Sequence, residues 1–234
     1  MRTVCGFGRQ VQQVLSRFVP QRSTSPAGWT GTGTATLRRP LLTDRLGLQQ
    51  HGGVVLDQVD GTTCGSAVLV ALAAWADPAE LARLEASGAG QALVGAGFGA
   101  RYDARQKEVH GQTNRLWPQA LGTTPWGAVR WLRDHAPAAG RYRVRLVDDT
   151  SASDVTSMID EVRAALAAGR PVPLLVGSFV PRHYVLALRT DGDGWRVYEP
   201  MSGQVRLLDL AAVRERRLAP VLGFDRLHAV LLPS

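Results

Sequence analysis

The sequence feature that most constrains the fold is a run of twelve almost entirely apolar residues, 64–75, which reads CGSAVLVALAAW. Asp77-Pro78 ends the run, and β-branched residues do not dominate it, so the pattern favours a buried helix over a strand. Pro78 then opens a second helix, which we expect to continue to Ser87. A helix that is apolar on all sides belongs in a core, so residues 64–75 are expected to be buried.

The second half of the chain changes to strand patterns. Residues 141–147 read RYRVRLV, and this strict alternation predicts a half-exposed strand with three Arg on its outer face. Asp154 and Gly169 are the predicted cap and end of a helix at 155–168. Further helices are predicted at 104–116 and 125–135, a glycine-rich loop at 88–99, and strands at 172–177, 183–189, 195–199, 204–208 and 227–232. Helices followed by strands indicate an α+β fold with an antiparallel sheet, not a doubly wound one.

The basic charge of the chain lies in its N-terminal part. The 234 residues carry a formal net charge of +7, but residues 1–50 hold seven Arg and a single acid, Asp44, while the remainder holds 20 basic and 19 acidic residues. With 45% apolar residues the chain can bury a core. We therefore expect a basic, flexible leader at 1–40, one globular domain at 41–234, and no nucleic-acid partner.

A short amphipathic helix is predicted inside this leader, at residues 9–19. Its apolar positions recur at helical spacing and are Val11, Val14, Leu15, Phe18 and Val19. Either this helix docks on the domain or frays, or it binds a partner or a membrane surface. No run reaches the roughly 18 apolar residues of a membrane span, and no secretory signal is recognised. Because two cysteines cannot form a disulfide framework, we expect a reduced, cytoplasmic protein.

Cys64 begins the long apolar run, in the context QVDGTTCGSA at 58–67. A thiol at a helix N-terminus faces unpaired backbone N–H groups and the positive end of the helix dipole, which stabilise a thiolate. The same N–H groups can receive an oxyanion that forms beside the sulfur. Cys64 is therefore a candidate nucleophile, although a lone cysteine beside an apolar run is more often a buried, inert thiol.

A histidine and a glutamate are predicted to meet on neighbouring strands. The turn TDGDG links the strand that begins at His183 to the strand that ends at Glu199. If residue 188 pairs with residue 194, then His183 pairs with Glu199, and their β-carbons lie about 4.5–5.5 Å apart on one face. The carboxylate would then fix the imidazole tautomer and hold the ring as a base. A slip of one residue would place the two side chains on opposite faces.

Gln58 is a further candidate, six residues before Cys64. Its side-chain amide can fold back over the nucleophile and donate a hydrogen bond to an oxyanion. A single glutamine at such a position is more often a solvated loop residue. Gln58 is therefore a candidate only together with its neighbours in the sequence.

Together these motifs resemble the papain-like cysteine peptidases, and within them most of all the bacteriocin-leader (double-glycine) peptidases and their stand-alone bacterial relatives. The resemblance covers roughly residues 50–210 and rests on QVDGTTCGSA at 58–67, HYVL at 183–186, and YEP at 198–200 followed by Gly203. It implies a papain-like fold, in which an N-terminal helical part carries the nucleophile on a helix packed against a C-terminal antiparallel sheet. The roles it implies are nucleophile for Cys64, general base and acid for His183, orienting residue for Glu199, and oxyanion donor for Gln58.

The function expected from these residues is a cysteine-dependent hydrolase, a peptidase or amidase that acts on a peptide or protein and needs no cofactor. The same residues would also serve acyl transfer to an amine or deamidation, since only the acceptor of the acyl-enzyme differs. A catalytically silent papain-like binding module is the other alternative. His110 and His135 lack metal-ligand spacing, so no metal site is expected. The sequence departs from the family branch in having Glu199 where Asp is usual, and in a Cys-to-His separation of 119 residues.

Overall fold

The helices and strands of the chain form a mixed α+β structure. The computed structural model describes residues 2–16, 40–86, 97–114 and 122–234. The helices are α1 Val4–Ser16, α2 Cys64–Ala76, α3 Pro78–Glu85, α4 Phe98–Thr113, α5 Pro125–His135, α6 Ala152–Ala167, α7 Leu210–Glu215 and α8 Ala219–Leu222. The strands are β1 Gly47–Leu48, β2 Gln50–His51, β3 Val54–Val55, β4 Tyr142–Leu146, β5 Val172–Gly177, β6 Pro181–Asp191, β7 Gly194–Glu199, β8 Gln204–Asp209 and β9 Arg226–Pro233.

Seven strands form one antiparallel sheet in the order β1-β8-β7-β6-β5-β9-β4, and β2 pairs with β3 in a separate hairpin. Side chains alternate along β6. Tyr184 and Leu186 face a core that contains α2, whereas Val185 and Ala187 face a second core that contains α6. Helices therefore cover both faces of the sheet, and the predicted α+β class with an antiparallel sheet is confirmed.

Helix α2 is a core helix, as its apolar sequence predicts. Every residue from Cys64 to Ala74 is buried, and the helix packs against α3, α4, α5 and β6. Asp77 follows α2 and caps α3, because its carboxylate accepts the Ala79 N–H at 2.8 Å while Pro78 takes the first position of α3. Close packing on all sides of α2 fixes Cys64, its first residue, against the sheet.

Helix α4 begins six residues earlier than predicted, inside the stretch 88–99 that glycine content predicts as a loop. Phe98 starts the helix, and its ring packs on those of His51 and Tyr102, with centroids 4.7 and 5.9 Å away. These tertiary contacts outweigh the low helix propensity of the nearby glycines. Residues 88–96 of the predicted loop, and 115–116 of the predicted helix, lie outside the described residues.

Two local predictions in the second half of the chain are wrong. Ser151, not Asp154, caps α6, because its hydroxyl accepts the Asp154 N–H at 3.3 Å. Asp154 instead binds Arg145, which is 1% exposed although alternation along β4 predicts an outward-facing side chain. Both Arg145 contacts to the Asp154 carboxylate measure 3.0 Å, and Glu161 accepts from Arg145 Nε at 3.0 Å. The buried cation is therefore fully paired.

Helix α1 begins at Val4, five residues before the predicted start, and docks beside β4 and β9. An ion pair of Arg9 with Asp154 at 3.0 Å helps to hold it. Val11, the first of the predicted apolar positions, faces outward and is 59% exposed. The described residues thus include α1, which lies within the predicted leader, whereas residues 1 and 17–39 of that leader lie outside the described residues.

Within the described ranges, no single helix is long and apolar enough to cross a membrane. Helices α2 and α3 would have sufficient length and composition together, but they are bent by 115° where they meet. In the folded chain α2 is a buried core element.

Candidate active site

Cys64 is the first residue of α2, at an end of the helix where Thr63 provides no side-chain cap. The Thr63 hydroxyl is used within the preceding loop, where it accepts the Asp60 N–H at 3.0 Å and donates to the Asp60 carbonyl at 3.1 Å. The first intrahelical hydrogen bond runs from the Ala67 N–H to the Thr63 carbonyl. The N–H groups of the first turn, including that of Cys64, therefore remain available beside the sulfur.

Gly65 lets this end of the helix approach the sheet closely. A β-carbon at position 65 would lie 2.8 Å from Thr123 Cβ and 3.2 Å from the Tyr184 ring. Tyr184 follows His183 on β6, so the missing side chain brings the helix terminus against the strand that carries the histidine. Cys64 Sγ accordingly lies 4.0 Å from the carbonyl oxygen of the residue before His183.

His183 and Glu199 are in contact, but the predicted register is wrong. Near Glu199, β6 and β7 pair Leu186 with Tyr198. On the turn side of a bulge after Ala187 the register changes by one residue, and Asp191 pairs with Gly194. Glu199 is thus displaced by two positions from direct opposition to His183. It stays on the same face because two residues are the period of a strand. The Glu side chain spans the diagonal, and its Oε1 lies 2.8 Å from His183 Nε2.

Four donors hold the Glu199 carboxylate. Oε1 accepts from His183 Nε2 and from the Met201 N–H at 2.7 Å, and Oε2 accepts from the Ser202 N–H at 3.0 Å and from Ser202 Oγ at 2.7 Å. Burial alone would raise the pKa of Glu199, but these hydrogen bonds and the charge of His183 lower it to about 2. Glu199 is therefore ionised at neutral pH and fixes the orientation of the imidazole ring.

His183 lies between Glu199 and Cys64 and is 2% exposed. Burial opposes its protonation, but hydrogen bonds with Cys64 and Glu199, together with the charges of both, raise its pKa from 6.5 to about 9. Because Nε2 contacts Glu199, Nδ1 is the ring nitrogen left for the thiol. The Phe224 ring packs against the imidazole, with its centroid 5.9 Å away. At neutral pH the site thus favours an imidazolium, held between the Glu199 carboxylate and Cys64.

Gln58 lies at the same site, but its amide is partly engaged elsewhere. Gln58 Nε2 donates to the Asp60 carbonyl at 2.6 Å, which leaves one amide hydrogen for another acceptor. Its Oε1 is buried and has no hydrogen-bond partner among the described residues. The Gln58 main-chain N–H donates to the Pro200 carbonyl at 2.8 Å, so the loop before Cys64 is tied to the residue next to Glu199.

Gln106 of α4 holds the main chain on both sides of Gln58. Its Nε2 donates to the Asp57 carbonyl at 2.9 Å, and its Oε1 accepts the Val59 N–H at 3.2 Å. The Gln106 side chain is fully buried. Both ends of its amide are therefore satisfied by backbone groups, which fixes the main chain that carries Gln58 at the cleft with Cys64.

Gln58, Cys64 and His183 line a cleft of about 290 Å³, and Glu199 lies behind His183. The other lining residues are Gly61, Thr62, Gly122, Val180, Pro181, Arg182, Met201 and Phe224. All four residues predicted from the sequence are thus brought to one place. A thiol, an oriented imidazole and an ionised carboxylate in this order can attack an acyl carbon and transfer protons.

Sequence reasoning missed residues that build the site. Ser202 had a local signal, since EPMSG at 199–203 places a hydroxyl and two N–H groups just after the carboxylate. Gln106 had none, because it is a single polar residue on a helix 42 positions from Cys64. Phe224 likewise belongs to no motif.

Neither a family model, nor a curated protein, nor a solved structure matches this chain. The geometry of the site is therefore what indicates its chemistry. The contacts that matter are those among Cys64, His183 and Glu199 and those that place Gln58 beside them.

Proposed function

We propose that this protein is a cysteine-dependent hydrolase that cleaves peptide or related amide bonds. The observation that carries the proposal is the chain of contacts from Cys64 through His183 to Glu199 at a cleft. A structural thiol would need neither an imidazole with a raised pKa beside it nor a carboxylate held by four donors behind that imidazole. The nucleophile helix packed on an antiparallel sheet that carries the histidine supports a papain-like fold, the family that the motifs resemble.

In the first half-reaction the Cys64 thiolate attacks the carbonyl carbon of the scissile amide, and the carbonyl oxygen becomes an oxyanion. The Cys64 N–H at the start of α2 and the free amide hydrogen of Gln58 donate to that oxygen. His183 gives its proton to the leaving nitrogen, the C–N bond breaks, and the amine departs. The products are a thioester on Cys64 and a neutral His183.

In the second half-reaction neutral His183 takes a proton from water as the water oxygen attacks the thioester carbon. The C–S bond then breaks, the acid product leaves, and the thiolate and imidazolium are restored. Glu199 keeps the ring oriented through both steps and stabilises the imidazolium. It does not itself take the proton, because its pKa is about 2.

The test is digestion of a complex peptide library, with products identified by mass spectrometry. We expect new peptide termini with the wild-type protein and none with Cys64→Ala. The matched control is Cys5→Ala, which makes the same change at the other, partly buried cysteine and should leave cleavage intact. Deamidated side chains or amine adducts without cleavage would replace hydrolysis by acyl transfer. An absence of any product with the wild-type protein would contradict the proposal and favour a binding module.

A further inference from the structure

Among the described residues that line the cleft, one carries a permanent charge. Among the described residues its lining contains no carboxylate, and Arg182 is the one lining Arg or Lys. Val180, Met201 and Phe224 contribute apolar surface, and the lining residues other than Cys64, Arg182 and His183 have no ionisable side chain. A substrate in this cleft therefore meets apolar surface and lies beside a single residue with a permanent positive charge.

Arg182 has no intramolecular partner for its charge within the described ranges. This contrasts with Arg189 on the same strand, which pairs with Asp44 at 2.8 Å. Asp60, the acid adjacent in sequence to the cleft-lining Gly61–Thr62 segment, uses its carboxylate to accept from the Thr62 N–H at 2.8 Å and the Thr62 hydroxyl at 2.7 Å. Arg182 is exposed and lies at the cleft, so its guanidinium can bind a substrate carboxylate through two hydrogen bonds.

We propose that Arg182 is a specificity-determining residue that binds a carboxylate of the substrate on the leaving-group side of the scissile bond. This inference rests on the proposed hydrolase function. Arg182 directly precedes His183, which has to reach the leaving nitrogen, so this part of β6 flanks the leaving group. The oxyanion donors belong to the Gln58 loop and to α2 instead. An acidic side chain and a free C-terminal carboxylate would present the same two oxygens to the guanidinium.

The first test compares two alkylating reagents of nearly equal size, iodoacetate and iodoacetamide. Each forms a C–S bond between its methylene carbon and the thiolate and releases iodide, but only iodoacetate is negatively charged. The measured quantity is the ratio of the iodoacetate to the iodoacetamide rate constant at Cys64. Loss of one cation a few ångströms from the reagent should lower this ratio by about fivefold in Arg182→Gln. The matched control Arg214→Gln removes an exposed cation of α7 outside the cleft lining and should leave the ratio unchanged.

The outcomes separate the inference from the function on which it rests. A ratio that is equal in the wild-type protein and in Arg182→Gln, with Cys64 still much more reactive than Cys5, overturns the inference and leaves the function standing. If neither reagent modifies Cys64 faster than Cys5, the proposed function itself fails, and the inference falls with it. The effect of Arg182 should also shrink at about 1 M salt, because the charges are then screened over about 3 Å.

A second test identifies the source of the carboxylate. Internally quenched peptides carry Glu, Gln or Lys just after the scissile bond and end in either a carboxylate or an amide. A preference for Glu over Gln of about fivefold in kcat/KM identifies an acidic side chain, and a similar loss on amidation identifies the C-terminal carboxylate. Either preference should disappear in Arg182→Gln. A preference for Lys, or equal kcat/KM for all six peptides, overturns the inference.

Discussion

Substitution of Glu199 by Gln tests how the carboxylate acts on His183. The amide keeps one acceptor oxygen for His183 Nε2 and the Met201 N–H, but it places an NH2 group where Oε2 now accepts two bonds from Ser202. The negative charge is lost, and the Ser202 N–H then faces another donor. We therefore expect Glu199→Gln to lower both the pKa of His183 and the free energy of unfolding.

The magnitude follows from the pKa of His183. The rise in the pKa of His183 from 6.5 to about 9 corresponds to about 3 kcal/mol. Cys64 and Glu199 together produce this rise, and burial opposes it. Their combined contribution therefore exceeds the net rise, and loss of the Glu199 charge should lower the pKa of His183 by on the order of one unit or more. The broken contacts to Ser202 should reduce the free energy of unfolding by about 1–3 kcal/mol.

The pH dependence has a definite sign. Because the folded pKa of His183 lies above its unfolded value of 6.5, the imidazolium stabilises the fold fully below that pH, and this contribution is lost as the pH rises through about 9. In Glu199→Gln the loss should be smaller and should be complete at a lower pH. Thermal unfolding at a series of pH values measures this difference between the two proteins.

The direct assay is NMR of ring-labelled histidine between about pH 5 and 10. His228 serves as an internal reference, because burial lowers its pKa and it hydrogen-bonds the Ser178 carbonyl at 3.2 Å, away from Glu199. A pKa of His183 that is unchanged in Glu199→Gln would refute the role given to the carboxylate. A wild-type value below 6.5 would refute the ion-pair description as a whole.

Three further substitutions test the supports of the site. Gln106→Ala removes both contacts to the Gln58 loop and should lower kcat by about tenfold or more, with little change in KM, because an oxyanion donor acts in the transition state; an equal effect on both constants would argue against this role. Gly65→Ala places a methyl group 2.8 Å from Thr123 Cβ and should cost about 1–3 kcal/mol in urea unfolding, part of which Thr123→Gly should restore. Asp154→Ala leaves Arg145 buried without its main partner and should cost about 3–5 kcal/mol, whereas the double variant with Arg145→Met should recover much of the loss; a cost under about 1 kcal/mol for the single variant would contradict the pairing.

The elements that sequence predicts well are those whose signal is local. The apolar run of α2 can only be buried, and the change from helical to alternating patterns fixes the α+β class with its antiparallel sheet. The predicted strands at 172–177 and 204–208 agree with β5 and β8 to within one residue. Helix α4 shows the opposite case, because Phe98 joins the helix through ring contacts with His51, which is distant in the sequence.

The contact of His183 with Glu199 was predicted correctly from a wrong register. The prediction assumes a turn over residues 190–194, but β6 continues to Asp191, which pairs with Gly194, so the register at the turn is three residues off. The bulge after Ala187, for which the sequence carries no signal, reduces the displacement to two residues. The contact survives because the displacement is two residues, which preserves the face, and because Glu is long enough to span the diagonal. A displacement of one residue would have separated the pair.

The contacts that sequence could not reveal join residues on different elements. The alternating pattern of the strand predicts that Arg145 is exposed, and only the fold brings the Asp154 carboxylate to it. Gln106 reads as an ordinary helix residue, and only the packing of α4 beside the loop at 57–59 gives its amide two backbone partners. In both cases a buried polar group needs a hydrogen-bond partner, and only the tertiary structure determines which residue that partner is.

The most direct measurement is the rate at which iodoacetamide labels the two cysteines near neutral pH. Burial raises the pKa of Cys5 to about 11, so Cys5 is an internal reference of low reactivity. We expect Cys64 to be labelled about a hundredfold faster than Cys5, and His183→Ala to remove most of that difference. Equal rates for Cys64 and Cys5, or a Cys64 rate that His183→Ala leaves unchanged, would contradict the assignment of Cys64 and His183 as a reactive pair.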